Sequence, residues 1–416
     1  MFSPIRVNTD ALRLLHMAWT KVETGTLAPD QFPPAYPSIV SFLIQLGFDH
    51  AFWLVLLNYA SLALGLLTWA VVAIRAMNWP PSAVRIGAIL FLSSWVVVKH
   101  APIPLTEPLY FALANLSLYA AVRARDASAS RPLLWWLLAF AIAALATMTR
   151  SIGVSLLVAV IVAASLHLLA ALKRHTQERP PPFSPRLRNL MLTAAALLST
   201  LLLIAITRIQ LSHPESYLNN WIAIASRTSL TDIIGLWSLR LMELGALTIN
   251  LPLRSDGSLS LAVRVLGALF TALLLVQLWK QRSRSVVINA YVAFYSAILA
   301  IWPYEDPRFW YPLLPWMILV CAPGPTVPTK NSRVLFGKQL AYGAYVAFGL
   351  VALGYSTRLT FAGDDFPQRY THGALRASYE AAFGLAAPST SEAADPRTTT
   401  ILRRYAPATP LSDDRQ

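Results

Sequence analysis

Residues 52–76, FWLVLLNYASLALGLLTWAVVAIRA, carry one charge, that of Arg75, in a stretch long enough to cross the hydrocarbon core of a bilayer as a helix. Inside lipid a segment must satisfy its own backbone, which leaves helices and closed barrels as spanning structures. The alternating ten-residue strands of a barrel are not seen, whereas the apolar run recurs. Spans are expected at 52–76, 84–99, 107–122, 132–149, 151–172, 190–208, 259–280, 286–302, 309–322 and 338–356, about ten in all. Composition agrees: of 416 residues 56% are apolar and only 13% charged, where soluble domains carry about a quarter. The expected class is all-α, a polytopic membrane helical bundle with interfacial helices on its outer face.

Lys and Arg mark the sidedness. Arg75 and Arg85; Arg123, Arg125 and Arg131; Lys173, Arg174, Arg179, Arg186 and Arg188; Lys280, Arg282 and Arg284; and Lys330, Arg333 and Lys338 fall in alternate loops, which are therefore cytoplasmic. The connections 99–107, 209–258 and 303–308 then face outward from the cell inner (plasma) membrane, with residues 1–36 and the chain beyond 356. Three regions follow: an outer preface (1–36), a membrane core (37–356) and an outer tail (357–416) whose end is expected to be disordered. The net charge of +14 is assigned to this topology and to contact with anionic membrane lipids, and no nucleic-acid partner is implied. Cys321 is the single cysteine, which excludes an intramolecular disulfide and a thiolate metal cluster. Residues 1–36 contain no apolar run that could export them and no signal peptide, so either a spanning helix lies upstream of Met1 or a short head is exported tail-first; Arg6, Arg13 and Lys21 disfavour the second, and the upstream helix is expected.

Between residues 10 and 23, Leu12, Leu15, Ala18, Trp19 and Val22 follow helical spacing, as in a helix lying along a membrane surface. Pro33, Pro34 and Pro37 in PPAYP end it and turn the chain into the membrane, and Tyr36 either stacks on a sugar or sits at the interface. Asp10 falls in the first turn of that helix, where it either caps the backbone or does chemistry. Glu107, in KHAPIPLTEPLYF beside Lys99 and His100, opens a span; it is either part of a helix start, with Thr106 as cap, or a carboxylate facing a cavity. Arg150, in ATMTRSIGV, either snorkels at a helix end or serves that cavity. Arg308, in PYEDPRFWYPLLPW, either makes a local ion pair in a short loop or does the same.

Asp10, Lys99, Glu107, Arg150 and Arg308 thus come from separate segments to one outer level, which calls for a shared cavity. A carboxylate there can take a proton from an acceptor hydroxyl while cations hold a departing phosphate, so that a sugar leaves a lipid phosphate for the acceptor. The donor has to be lipid-linked, since nucleotides are not supplied outside the membrane. The rival is a transporter or flippase for a lipid-linked sugar or anionic solute, without chemistry. Against it, polar residues gather at one face rather than at the midplane, and no paired halves are visible.

The ordered pattern TDALRLLHMAWTKVETGTLAPDQFPPAYPSIVSFLIQLG, LTEPLYFALANLSLYAAVRAR, LATMTRSIGVSLL and DPRFWYPLLPW, over residues 8–320, resembles the GT-C superfamily of integral-membrane glycosyltransferases that use polyprenyl-phosphate sugars. That superfamily includes protein O-mannosyltransferases, lipid A aminoarabinose transferases and lipopolysaccharide-core glycosyltransferases. The resemblance implies Asp10 as base and Glu107 as the second catalytic acid. It implies Arg150 and Arg308, with Lys99, as contacts to donor phosphate, and Tyr36, His100 and Tyr311 as contacts to sugar or acceptor. The implied partners are a polyprenyl-phosphate sugar donor and a cell-envelope glycan, lipid or protein acceptor. Relatives have a spanning helix before the first-loop aspartate, and many carry a second acidic residue beside it where this chain has Ala11. A metal site on that pair is therefore not expected, and no cofactor is.

The loop 209–258 reads as further surface helices with Trp221 and Trp237; Arg227 and Arg240 either touch an anionic acceptor or lipid or, as expected, are exposed basic residues of those helices. DDFPQRYTHGALRASYEAAFG reads as one outer helix and APSTSEAADPRTTT as solvated chain. KRHTQERPPPFSPRLRN is a Pro-rich basic connector. No internal repeat, phosphate-binding Gly loop or His cluster with metal spacing is present.

Overall fold

The computed structural model describes residues 4–126, 131–175, 219, 222–224, 226, 229–252, 259–281, 285–321, 332–385 and 392–406. In chain order the helices are α1 (Thr9–Thr24), α2 (Ala35–Gln45), α3 (Ala51–Met77), α4 (Pro81–Leu92), α5 (Trp95–His100), α6 (Thr106–Arg125), α7 (Pro132–Thr149) and α8 (Val154–His175). After the loop they continue as α9 (Leu230–Ile249), α10 (Ser260–Lys280), α11 (Val286–Ala300), α12 (Leu314–Cys321) and α13 (Ser332–Thr360). The tail adds α14 (Phe366–Tyr370), α15 (Gly373–Phe383) and α16 (Pro396–Arg403). Short 3-10 turns stand at Ser151–Gly153, Pro307–Trp310 and Gly363–Asp365. No strand occurs among the described residues, and the fold is all-α.

Four described helices are long and apolar enough to cross a membrane: Ala51–Met77, Pro132–Thr149, Ser260–Lys280 and Phe336–Thr360. Their large apolar side chains point outward, with Leu67 at 68%, Leu261 at 71% and Val351 at 71% exposure, as lipid-facing residues do. Helix also stands at every other expected span except 190–208, which lies outside the described residues along with Trp221, Arg227 and the connector 176–189.

The expected span 84–99 is two helices. Between α4 and α5 the chain leaves the helical path at Ser93 and Ser94, and Asn250 satisfies the groups set free. Its Oδ1 accepts from Trp95 N at 2.7 Å, and its Nδ2 donates to Ser93 O at 2.9 Å and to Tyr345 O on α13 at 2.8 Å. A break in a helix inside a bundle needs such substitutes, because an unpaired buried backbone group costs about 1–3 kcal/mol. Asn250 itself ends α9 in the left-handed region (φ 59°). Helices α9 and α10 then cross at backbone contact, since a Cβ on Gly245 would overlap the Val263 carbonyl.

Two cores result. The larger packs α3, α4, α6, α7, α8, α11 and α12 around Trp69, Phe91, Tyr110, Phe111, Tyr291 and Trp316. The smaller joins α1 and α2 to the tail. Leu12, Leu15 and Ala18, the face read from the sequence as lipid-facing, are buried there against protein. Arg6 donates to Ser356 Oγ at 2.6 Å, and Tyr379 Oη donates to Ile5 O at 2.6 Å and accepts from Val7 N at 3.0 Å. The segment expected as one outer helix, 364–384, is broken at Thr371 and His372, where the Glu392 carboxylate accepts from Ala374 N at 2.6 Å. Pro396–Arg403, read as solvated chain, is helical, with Asp395 capping Thr398 N at 2.9 Å. Residues 407–416 lie outside the described residues.

Candidate active site

Asp10 sits in the first turn of α1, but the cap is Asn8, whose Oδ1 accepts from Ala11 N at 2.8 Å. The carboxylate of Asp10 is thereby released from the helix end, and it pairs with Arg308 instead. Glu107, one residue inside α6, is 2% exposed. Its loop is tied down by Asn58 on α3, whose Nδ2 donates to Ala101 O at 3.2 Å and also to Ile103 O. Leu105 holds the N-cap position of α6, so Thr106 is not the cap.

Arg150 joins α7 to the 3-10 turn in an extended conformation. The turn is tight enough that a Cβ on Gly153 would lie 2.7 Å from Thr147 backbone atoms, so glycine is required there. Arg150 places Nη1 2.8 Å from Glu107 Oε1, an inward pair rather than a snorkelling cation. Arg308 lies in the turn Pro307–Trp310, where Asp306 Oδ1 accepts from its backbone N at 2.9 Å and Asp306 Oδ2 lies 2.8 Å from its Nε. The expected local ion pair is therefore real, yet the same guanidinium also reaches Asp10 and lies 3.6 Å from Glu107 Oε1. Burial works against the charge of Arg308, but the carboxylates of Glu107, Asp306 and Asp10 outweigh it and raise its pKa above the ordinary value. The Phe309 ring lies under both cations, 5.5 Å from Arg150 and 5.4 Å from Arg308.

Asp10, Thr106, Glu107, Arg150, Arg308 and Phe309 line one chamber. Its free volume is about 40 Å³, space for roughly three waters. Four of the five ionisable residues expected at one level thus meet. Lys99 does not line the chamber: it is exposed, with its ammonium 5.9 Å from the Trp95 ring centre. Nor do Tyr36, His100 or Tyr311. Tyr36 is fully buried in the smaller core, away from the interface position expected of it. His100 Nδ1 lies 2.8 Å from Val96 O, and Tyr311 packs edge-on against Phe91 and Phe111.

Asp306, the carboxylate of the expected local pair, is a third acid on Arg308 beside Asp10 and Glu107. One feature was not legible in the sequence. Arg240, read as exposed, is 4% exposed and pairs with Glu243 at 2.6 Å. Arg240 also donates to the carbonyls of Trp302 at 3.0 Å and Tyr304 at 2.5 Å, while Trp310 Nε1 donates to Glu243 at 2.8 Å. The pair on α9 therefore grips the segment carrying Arg308 on both sides of it. Its i, i+3 spacing was visible; its burial was not. Among the described residues no group of three or more His, Cys, Asp or Glu side chains is arranged to hold a metal ion.

No family model and no curated protein matches the chain. Among solved structures, that of ArnT from Cupriavidus metallidurans bound to undecaprenyl phosphate aligns with it at a TM-score of 0.48 and 14% identity, over 86% of this chain and 67% of that one.

Proposed function

We propose that the protein is a GT-C-type membrane glycosyltransferase that moves a sugar from a polyprenyl-phosphate donor to a hydroxyl of an extracytoplasmic glycan, lipid or protein acceptor. The observation that carries this reading is the convergence of Asp10, Glu107, Arg150 and Arg308, from four distant segments, on one chamber. In the reaction the acceptor O–H gives its proton to the Asp10 carboxylate as its oxygen bonds to the sugar C1. The bond from C1 to the phosphate oxygen breaks, and its electron pair leaves with the phosphate, whose added negative charge Arg150 and Arg308 hold. Glu107, through Oε1, orients both guanidiniums.

The pairing of Arg308 with Asp10 gives this scheme an order. The Asp10 carboxylate is occupied by Arg308, and the chamber as it stands, at about 40 Å³, is too small for a sugar phosphate. Donor phosphate competes for Arg308, so that donor binding opens the chamber and frees Asp10 together.

The test supplies the purified protein in lipid vesicles with a radiolabelled polyprenyl-phosphate hexose or pentose and a mixture of envelope acceptors. Asp10→Asn is expected to stop transfer while leaving the melting curve unchanged. Full transfer by that variant removes Asp10 as base. Movement of the labelled lipid across the vesicle without transfer would favour a flippase.

A further inference from the structure

At the opposite end of α3 and α6 from the chamber, about 30 Å along α6, a second cleft of about 250 Å³ opens between those helices and the start of α11. Arg75 from the last turn of α3 and Arg123 and Arg125 from the last turn of α6 line it, with Tyr119, Asp126 and Ser285. Arg123 is engaged by Asp126 at 3.0 Å and lies 5.8 Å from the Trp135 ring centre. Arg75 and Arg125 have no ion-pair partner among the described residues. Three arginines against one aspartate leave the cleft with an excess of two positive charges.

Part of that charge complements the carbonyl ends of α3 and α6, the ordinary reason for arginine in a last turn. Ser285 is not accounted for in that way. It occupies the N-cap position of α11, where a serine normally accepts from the first free N–H groups, yet it makes no cap hydrogen bond. It is 2% exposed, and its hydroxyl has no hydrogen-bond partner among the described residues. A buried hydroxyl without a partner costs about 1–3 kcal/mol, so a ligand atom is the natural recipient. The positive end of the α11 dipole faces the same cleft.

We infer that this cleft binds the phosphate group of an anionic ligand, and that the ligand is an anionic phospholipid whose headgroup the two unpaired arginines and Ser285 hold. The charge bias of the loops puts this end of the bundle at the cytoplasmic leaflet, where anionic lipids concentrate. Val71 lines the cleft and Leu67 lies exposed one turn before it on α3, a path for an acyl chain. This inference does not depend on the proposed transferase activity.

Native mass spectrometry of the full chain in detergent, with phosphatidylglycerol, phosphatidylcholine or inorganic phosphate added, tests it. Phosphatidylglycerol is expected to be retained about tenfold better than phosphatidylcholine, and the double variant Arg75→Gln, Arg125→Gln to lose that preference. Ser285→Ala, which keeps every charge, is expected to weaken retention about threefold and serves if the double variant does not fold. Equal retention of the two lipids by the unaltered protein, or an unchanged preference in both variants, overturns the inference. Competition by inorganic phosphate at the lipid's own concentration overturns the lipid source in favour of a soluble phosphate ester.

Discussion

Two buried ionic systems meet the segment 302–310, and they differ in what completes them. In the Arg240–Glu243 pair the partners lie three residues apart on one helix, and further hydrogen bonds run to the Trp302 and Tyr304 carbonyls and from the Trp310 indole. In the chamber, Arg308 is shared among Asp10, Glu107 and Asp306, each from a different distance in the chain or the loop, and free volume remains beside it. Neither residue of the first pair lines the chamber. In the proposed scheme the second system exchanges one of its partners for a phosphate without stranding a buried charge. Burial of charge is common to both systems; free volume beside the charges is found at the chamber.

The largest expected effect separates the two systems by activity. Asp10→Asn should lower transfer about 10²- to 10⁴-fold, the range of a lost general base, with little change in melting temperature. The opposite pattern is expected at the brace, where Arg240→Met or Glu243→Leu alone should cost about 3–5 kcal/mol in denaturant melts by leaving one charge stranded. The double replacement should cost less than either single one; if it costs their sum, the pair is not acting as a unit.

Arg150→Lys tests the chamber more finely. It keeps the charge but loses the fork that faces Glu107, so the apparent donor KM should rise about tenfold with a smaller change in kcat. An unchanged donor KM would place the phosphate elsewhere. Asn8→Ala should cost about 1 kcal/mol as a lost cap, and activity should fall if Asp10 turns to cap the helix in its stead. The smallest effect is expected from chelation: with two guanidiniums supplying the positive charge, EDTA should leave transfer unchanged, and a loss restored by a divalent ion would add a metal to the scheme.

Much of this architecture was legible beforehand. The apolar runs announced their helices because hydrophobic length is a local property that lipid reads directly. Glu107, Arg150 and Arg308 were legible as candidates because a charge at the end of an apolar run needs a reason to be there, and Asp10 through its place in the family resemblance. Lys99 looked equivalent to them on that criterion, yet its side chain turns outward, and nothing in its neighbours could have said so. The break between α4 and α5 was hidden as well, since the groups it frees are satisfied by Asn250, over 150 residues away.

The amino-acid order by itself determined that this chain is helical, that it belongs in lipid, and which few residues are too costly to bury without cause. Only the tertiary structure decided which of those residues meet, that Asn8 rather than Asp10 caps α1, and that Arg240 is a brace. Helix formation and lipid partition follow from sums over neighbouring residues. The fate of a buried charge follows from partners that folding alone brings within a few ångströms.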